Sequence, residues 1–445
     1  MAKVAKSRKP IAQASLSQKK AQRYLIAIPV VVLLIKMIVM FNTQYGGWYG
    51  ADGENYTAGV DGLLKDGFFS TEGKLSYWPA GYPLLIWPLA KISAVKVYYL
   101  VSIAQSLFFA YSTYFFTKNL KKSNFAYLAV FASFLISFNP TLSLSSLSVG
   151  YETPIAACLM MAVGTIIMSY KSEEPIFSIK ETCFAAAWLA LAIFMQPRFL
   201  LVGLVFMVMW ALKLGSKRSA ALLLLVSMAV MSVTPAIMIY RNIKVIDQAT
   251  ISTNLGVTMA IGAGDQTAGG YLRTGPEVPC APNPPAISVT ENQKIVCILK
   301  WYLDSPSKTA KLAFNKSQFF WSPWSGPLGN GTMARNPWLK IAPTQGISKT
   351  PDGKKLVYGE FGKLVSYGWI IGQIFLLFFG YRHLRRLGAT EKFYANLILI
   401  PVVLSWLISI GTVGDHRFRI PTMGLSLLLQ AAGIVALKNK LPKVS

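Results

Sequence analysis

The sequence predicts an all-α polytopic membrane protein. Three observations carry that expectation: 53% of the 445 residues are hydrophobic, only 14% are charged, and the apolar residues gather into long uncharged runs. Mean hydropathy is +0.44. A soluble domain holds about a quarter charged residues, so a cytosolic globule is excluded. A chain this apolar and aromatic does not stay unfolded in water either. The charged minority is unbalanced, with 44 Lys+Arg against 18 Asp+Glu for a net +26. Alone, that balance would suggest nucleic acid; the apolar runs assign the cations mainly to membrane edges instead.

Runs of about 15–22 apolar residues mark the spans. They fall at 24–41, 97–116, 124–139, 153–170, 182–197, 199–213, 219–240, 366–381, 393–412 and 418–437. The run 78–93 holds Pro79, Pro83 and Pro88 and is short, so it is expected as a re-entrant or juxtamembrane helix. The bundle therefore has about 10–11 transmembrane helices, depending on how that run is counted. Residues 1–23 carry seven cations and no acid, which places the N-terminus in the cytoplasm. With ten crossings, the later clusters at Lys118, Lys213, Arg382 and Lys438 fall on that same side, and both termini are cytoplasmic. The first span is long and lacks a small-residue cleavage site, so it reads as an anchor.

Four parts follow: a basic tail (1–23), a transmembrane module (24–240) with a first outer loop (42–77), a large extracytoplasmic loop (241–365), and C-terminal helices with a tail (366–445). The large loop is too long to be idle. It carries fourteen Lys/Arg against seven acids, a cationic face suited to an anionic lipid. Cys280 and Cys297 lie in it, as a disulfide or as two free thiols; Cys158 and Cys183 fall in spans as packing residues. His383 and His416 are the only histidines, so a histidine-rich metal site is not available. Trp321 and Trp324 suit the membrane interface, with sugar stacking as the second reading.

Several polar groups collect on the outer face. Asp52 and Glu54 open a stretch in which Tyr56, Val60, Leu63 and Leu64 are spaced as the apolar face of an amphipathic helix on the membrane surface. A carboxylate there is partly desolvated and becomes a candidate base for a hydroxyl acceptor; a solvated loop acid or helix cap is the plainer alternative. Tyr151-Glu152 precedes Pro154 at the mouth of the fourth span, as dipole complement or as a second acidic wall. Arg198 and Arg241 stand at helix ends, where arginine commonly snorkels. Arg417 and Arg419, in Asp415-His416-Arg417-Phe418-Arg419, oppose the positive-inside tendency, and their forks suit phosphate oxygens. Together these groups point to chemistry on a lipid phosphate. Physics alone does not choose between a transferase and a transporter.

The stretch from Asp52 and Tyr56, through Leu63-Leu64-Lys65-Asp66-Gly67-Phe68, to Trp78-Pro79-Ala80-Gly81-Tyr82-Pro83-Leu84-Leu85 resembles the first-loop signature of GT-C fold glycosyltransferases. The nearest group is the protein O-mannosyltransferase and aminoarabinose-transferase-like enzymes. Gly414-Asp415-His416-Arg417-Phe418-Arg419-Ile420-Pro421 is similar to their acid-arginine-phenylalanine-arginine tail, here with His416 inserted. Asn139-Pro140 with Glu152, and Arg241-Asn242 followed by Ser252-Thr253-Asn254 and Gly270-Tyr271, resemble the segments between. The resemblance implies a GT-C-like bundle and a membrane glycosyltransferase using a polyprenyl-phosphate-linked sugar on the extracytoplasmic face, with inversion. It implies Asp52 as general base, with Arg417 first and Arg419, Arg241 and Arg198 behind it as donor phosphate-binding residues. Glu54, Tyr56, Glu152, Tyr151, His416 and Tyr271 would line the sugar or acceptor pocket. No metal is expected, although related oligosaccharyltransferases hold a divalent cation on acids. Its partners would be the lipid-linked donor and a glycan, lipid or protein acceptor, not nucleic acid. The rival is a lipid or lipid-linked glycan transporter, disfavoured because 78–93 has no matching segment in a second half.

Overall fold

The computed structural model describes residues 18–42, 48–49, 52–120, 126–170, 177–270, 290–322 and 360–438. Each of the ten apolar runs coincides with a helix: α1 (Gln18–Asn42), α5 (Val97–Leu120), α6 (Ala126–Phe138), α8 (Glu152–Ser169), α9 (Ile179–Met195), α10 (Phe199–Ala211), α11 (Lys217–Ile246), α15 (Glu360–Arg385), α16 (Ala389–Gly411) and α17 (Ile420–Lys438). Among the described residues, five helices are long and apolar enough to cross a membrane on their own, or up to seven if each of two bent pairs is one span. One bent pair is α4 (Gly81–Ile92) with α5, turned by 119°. Twelve residues of helix reach about 18 Å, short of a bilayer core, so α4 matches the re-entrant or juxtamembrane expectation for 78–93.

Helix α8 is the centre of the bundle, with 94% of its apolar window buried and with α5, α9 and α17 packed around it. Its sequence has no polar stripe, as an all-round buried helix requires. Helices α15 and α17 approach backbone to backbone: a Cβ on Gly380 would stand 1.8 Å from the Leu429 carbonyl oxygen, and one on Gly433 would stand 2.3 Å from that of Leu376. Small residues permit such contact where apolar surface alone cannot drive helices together in lipid.

From residue 52 to 77 the first loop is largely helical. α2 (Gly53–Asp66) buries Tyr56, Val60 and Leu63, the face its spacing predicted, while Leu64 is exposed. α3 (Lys74–Tyr77) leads into α4. The second bent pair, α6 with α7 (Pro140–Leu144), breaks at Asn139, whose side chain accepts from Leu142 N (2.9 Å) while Pro140 sits at the first helical position. One departure from an all-α description is a parallel pair of two-residue strands, β1 (Trp48–Tyr49) and β2 (Ser148–Val149). The large loop contributes α12 (Leu255–Ile261), α13 (Glu291–Asp304) and α14 (Pro306–Trp321). Cys297 is disulfide-bonded, so its free-thiol reading falls; Cys280 lies outside the described residues. Cys158 and Cys183 are free.

Candidate active site

The ends of α2, α8, α9, α11, α16 and α17 converge on one cavity of about 640 Å³. Asp52, Tyr151, Arg198 and Arg417 line it, with Gln196, Trp78 and Phe418 beside them and a wall of Thr250, Ser252, Asn254 and Thr258. The acids and Arg417 meet directly. Asp52 Oδ2 is 2.5 Å from Arg417 Nη1, and Glu152 Oε1 accepts from Arg417 Nε. All three side chains are nearly excluded from solvent, and the Arg417 guanidinium lies 5.1 Å from the centre of the Tyr151 ring. Asp52 Oδ1 has no hydrogen-bond partner among the described residues. Arg198 stacks on Phe418 at 4.3 Å and on Phe199 at 5.3 Å.

Local sequence explains why these groups are held. The pairing of Trp48 with Ser148 and Tyr49 with Val149 brings the chain before Asp52 beside the chain before Glu152. Tyr82 Oη accepts from Gly150 N and from Gln105 Nε2, both at 2.8 Å. Ser146 accepts from the buried Lys36 of α1 (3.0 Å), and Leu147 O accepts from Ser102 Oγ (2.8 Å). Segment 146–150 is thereby tied to α1, α4 and α5. Tyr56 packs edge-on against Tyr82 (5.0 Å) and Tyr151 (6.1 Å). Gly81, in the Trp-Pro-Ala-Gly-Tyr-Pro stretch, abuts the end of α9, where an added Cβ would lie 1.8 Å from the Phe194 carbonyl oxygen. Gly81→Ala is expected to cost about 1–3 kcal/mol by forcing α4 off α9. Thermal unfolding in detergent checks it, and an unshifted melting temperature counts against this packing.

Arg417 sits in a short 3-10 turn, His416–Arg419. Asp415 Oδ1 accepts from Arg417 N at 2.9 Å and lies 3.5 Å from His416 Nδ1. Burial raises the Asp415 carboxyl from 3.8 to about 7, against the opposing pull of the Arg417 amide and guanidinium. The folded state therefore holds this proton more tightly than the unfolded chain. Its stabilisation is full below about 4 and is lost as pH rises through about 7. Asp415→Asn is expected to flatten the fall in melting temperature across that window, and an unchanged slope would contradict the assignment.

The other residues singled out in the sequence stand apart. Glu54 is exposed on the first turn of α2. Tyr56 and His416 are buried and do not line the cavity. Tyr271 lies outside the described residues. Two arginines expected at the phosphate hold backbone instead. Arg241 donates to Phe68 O (3.1 Å), Ser70 O (2.5 Å), Leu75 O (3.2 Å) and Ser76 Oγ (3.1 Å), fastening the loop between α2 and α3. Its neighbour Asn242 donates to Thr250 O and Ile251 O, fixing the opposite wall. Arg419 donates to Trp321 O (2.8 Å), Ser322 O (3.0 Å) and Gln373 Oε1 (2.9 Å), joining α14 to α15. A snorkelling arginine at a helix end and one turned inward to carbonyls look alike in sequence. Arg241→Met leaves those carbonyls unpaired and is expected to destabilise by about 2–4 kcal/mol; Arg241→Lys recovers little, since one ammonium cannot span the fork. Chemical unfolding of both variants checks this, and full rescue by lysine would refute it.

Sequence reasoning gave no role to Gln196, Thr250, Thr258, Thr412 or the buried Lys316. Lys316 of α14 donates to Ile410 O (2.9 Å) and Thr412 O (2.7 Å), capping α16 just before the arginine turn. Nothing in its surrounding sequence marks it. Among the described residues, no group of three or more His, Cys, Asp or Glu could hold a metal ion. Asp52 and Glu152 share one guanidinium instead.

No protein-family model matches the chain, and no curated protein matches it. Solved structures do. The Archaeoglobus fulgidus oligosaccharyltransferase in the apo form is 13% identical with a TM-score of 0.50, covering 96% of this chain and 52% of its own. The archaeal oligosaccharyltransferase AglB from the same organism, in complex with an inhibitory peptide and a dolichol-phosphate, gives 13% and 0.49, covering 94% of this chain and 50% of its own. ArnT from Cupriavidus metallidurans bound to undecaprenyl phosphate gives 12% and 0.40, covering 93% and 77%. The chain spans about half the length of the oligosaccharyltransferases it matches. The fold is that of the GT-C membrane glycosyltransferases, and the chain is an integral membrane protein.

Proposed function

We propose that the chain is a membrane glycosyltransferase that moves a sugar from a polyprenyl-phosphate donor to an acceptor hydroxyl on the extracytoplasmic face, with inversion. The observation that carries the reading is the meeting of Asp52, Glu152 and Arg417 at the wall of a cavity that Arg198 also lines. The GT-C fold fits it.

In this mechanism Asp52 Oδ2 is committed to Arg417, so Oδ1 takes the proton from the acceptor hydroxyl. The acceptor oxygen attacks the anomeric carbon from the face opposite the phosphate. The bond between that carbon and the phosphate oxygen breaks, and the lipid phosphate leaves with the electron pair. Arg417, nearly excluded from solvent, and the half-buried Arg198 meet the negative charge that develops there. Glu152 holds the guanidinium through Nε and aims its remaining edge. Tyr151, stacked on Arg417 and accepting from Gln196 Nε2 at 3.1 Å, borders the sugar. The hydroxyl and amide wall from Thr250 to Thr258 is available to sugar hydroxyls.

The test is incubation of purified protein with a panel of polyprenyl-phosphate sugars, following release of the lipid phosphate. Asp52-dependent release supports the reading, and the active donor names the sugar. Tight binding of every donor without release would favour transport.

A further inference from the structure

Far from the Asp52 cavity, at the other end of α15 and α16, lie two adjoining cavities of about 300 and 420 Å³. The first is lined by Lys213 and Lys392, with Met209, Leu212, Phe393 and Asn396 among its walls. The second is lined by Arg382, Arg385 and Arg386 with Phe378 and Tyr381. Tyr381 Oη donates to Asn396 Oδ1 at 2.7 Å and so joins the two. Lys392 and Thr412 are separated by twenty residues of α16 and its cap, about 30 Å of helix, which is the thickness of a bilayer core. The basic end therefore belongs to the membrane boundary opposite the Asp52 cavity.

Five cations line these cavities and no carboxylate does. None of the five is ion-paired among the described residues. Arg385 is set in place by Tyr381, to whose Oη it donates at 3.3 Å and over whose ring it lies at 5.2 Å. Cations in the last turn of α15 complement its dipole, but that covers one helix and not Lys213 or Lys392. Like charges this close repel and call for a counter-anion. Above them α15 shows what kind. Ile371, Ile374, Phe375 and Phe378 are exposed at i, i+3, i+4 and i+7, and the same face continues into Arg382 and Arg385. An apolar stripe that ends in cations is the imprint of a lipid with an anionic head.

We infer that the two basic cavities at the junction of α10, α15 and α16 bind a phosphate-headed membrane lipid, its phosphate among the five cations and its acyl chain along the α15 stripe. The site is separate from the sugar-transfer reading and does not depend on it. Sequence alone gives Lys213 and the arginines at 382–386 a topological role as cytoplasmic markers; the cavities and the stripe add Lys392 and a ligand to it.

The experiment measures lipid retention by native mass spectrometry of the full chain in neutral detergent, with phosphatidylglycerol or phosphatidylcholine added. Wild type is expected to retain phosphatidylglycerol preferentially. Arg382→Gln/Arg386→Gln and Lys213→Gln/Lys392→Gln should each weaken that retention about 30-fold without changing phosphatidylcholine. Both pairs are exposed, so the variants should fold, and circular dichroism confirms it. Asp52→Asn should retain lipid as wild type does. Equal retention of the two lipids, or unchanged retention in the paired variants, overturns the inference. Displacement of the lipid by low concentrations of inorganic phosphate would also overturn it, assigning the site to a soluble anion.

Discussion

Asp52→Asn is expected to lower the rate of sugar transfer by about 10²–10⁴-fold while leaving the protein folded. The amide matches the carboxylate in shape but cannot take the acceptor's proton at Oδ1. Arg417 keeps Glu152 as its second partner, so the guanidinium stays in place. The loss should therefore appear in kcat, with donor binding little changed. Rate measurements with a competent lipid-linked sugar, beside a melting curve, separate chemistry from folding. Full activity in this variant removes Asp52 as the base. A large fall in melting temperature would instead assign it a mainly structural part.

Arg417 carries the second large effect. Arg417→Met strands Asp52 and Glu152 as neighbouring carboxylates in a buried place, which costs about 3–5 kcal/mol of stability. Arg417→Lys keeps the charge but loses the fork, because one ammonium cannot serve both acids and the leaving phosphate in the same geometry. The lysine variant is expected to fold and to lose about 10²–10³-fold in rate. Wild-type rates in Arg417→Lys would show that only net charge matters there. Asp52→Asn combined with Arg417→Met should be more stable than Arg417→Met alone, since one stranded charge is gone.

Much of this architecture was legible because its signals are local. A run of apolar residues declares a helix without reference to any partner, and all ten runs coincide with helices. Among the described residues, five to seven spans are long and apolar enough to cross a membrane. Pro79, Pro83 and Pro88 likewise gave away the bent segment. The site was legible in part. Asp52, Tyr151, Glu152 and Arg417 stand out in the sequence as companions, and the fold brings them together across about 365 residues of chain. What stayed hidden depends on distant backbone. Whether an arginine meets a ligand or a carbonyl is decided by which loop folds under it, and Arg241 and Arg419 found the loops at 68–76 and 321–322. Glu54, two residues from Asp52, is turned out by the helical rotation between them. The burial of Lys36 and Lys316 has the same origin, since each is matched by carbonyls, hydroxyls and an aromatic ring distant in sequence.

The two-residue strand pair has a consequence for how the enclosure can open. Because Trp48–Tyr49 is bonded to Ser148–Val149, the two acids ride on one stiff platform, stapled further by Tyr82 and Lys36. Spreading Asp52 from Glu152 would mean unzipping that ladder and exposing Arg417. The far wall is fastened as well, at Thr250 and Ile251 by Asn242 and at Thr253 by the Ser76 carbonyl, so the enclosure is clamped from both sides. The spacing of the three charges is thus set by the backbone, as in a jig.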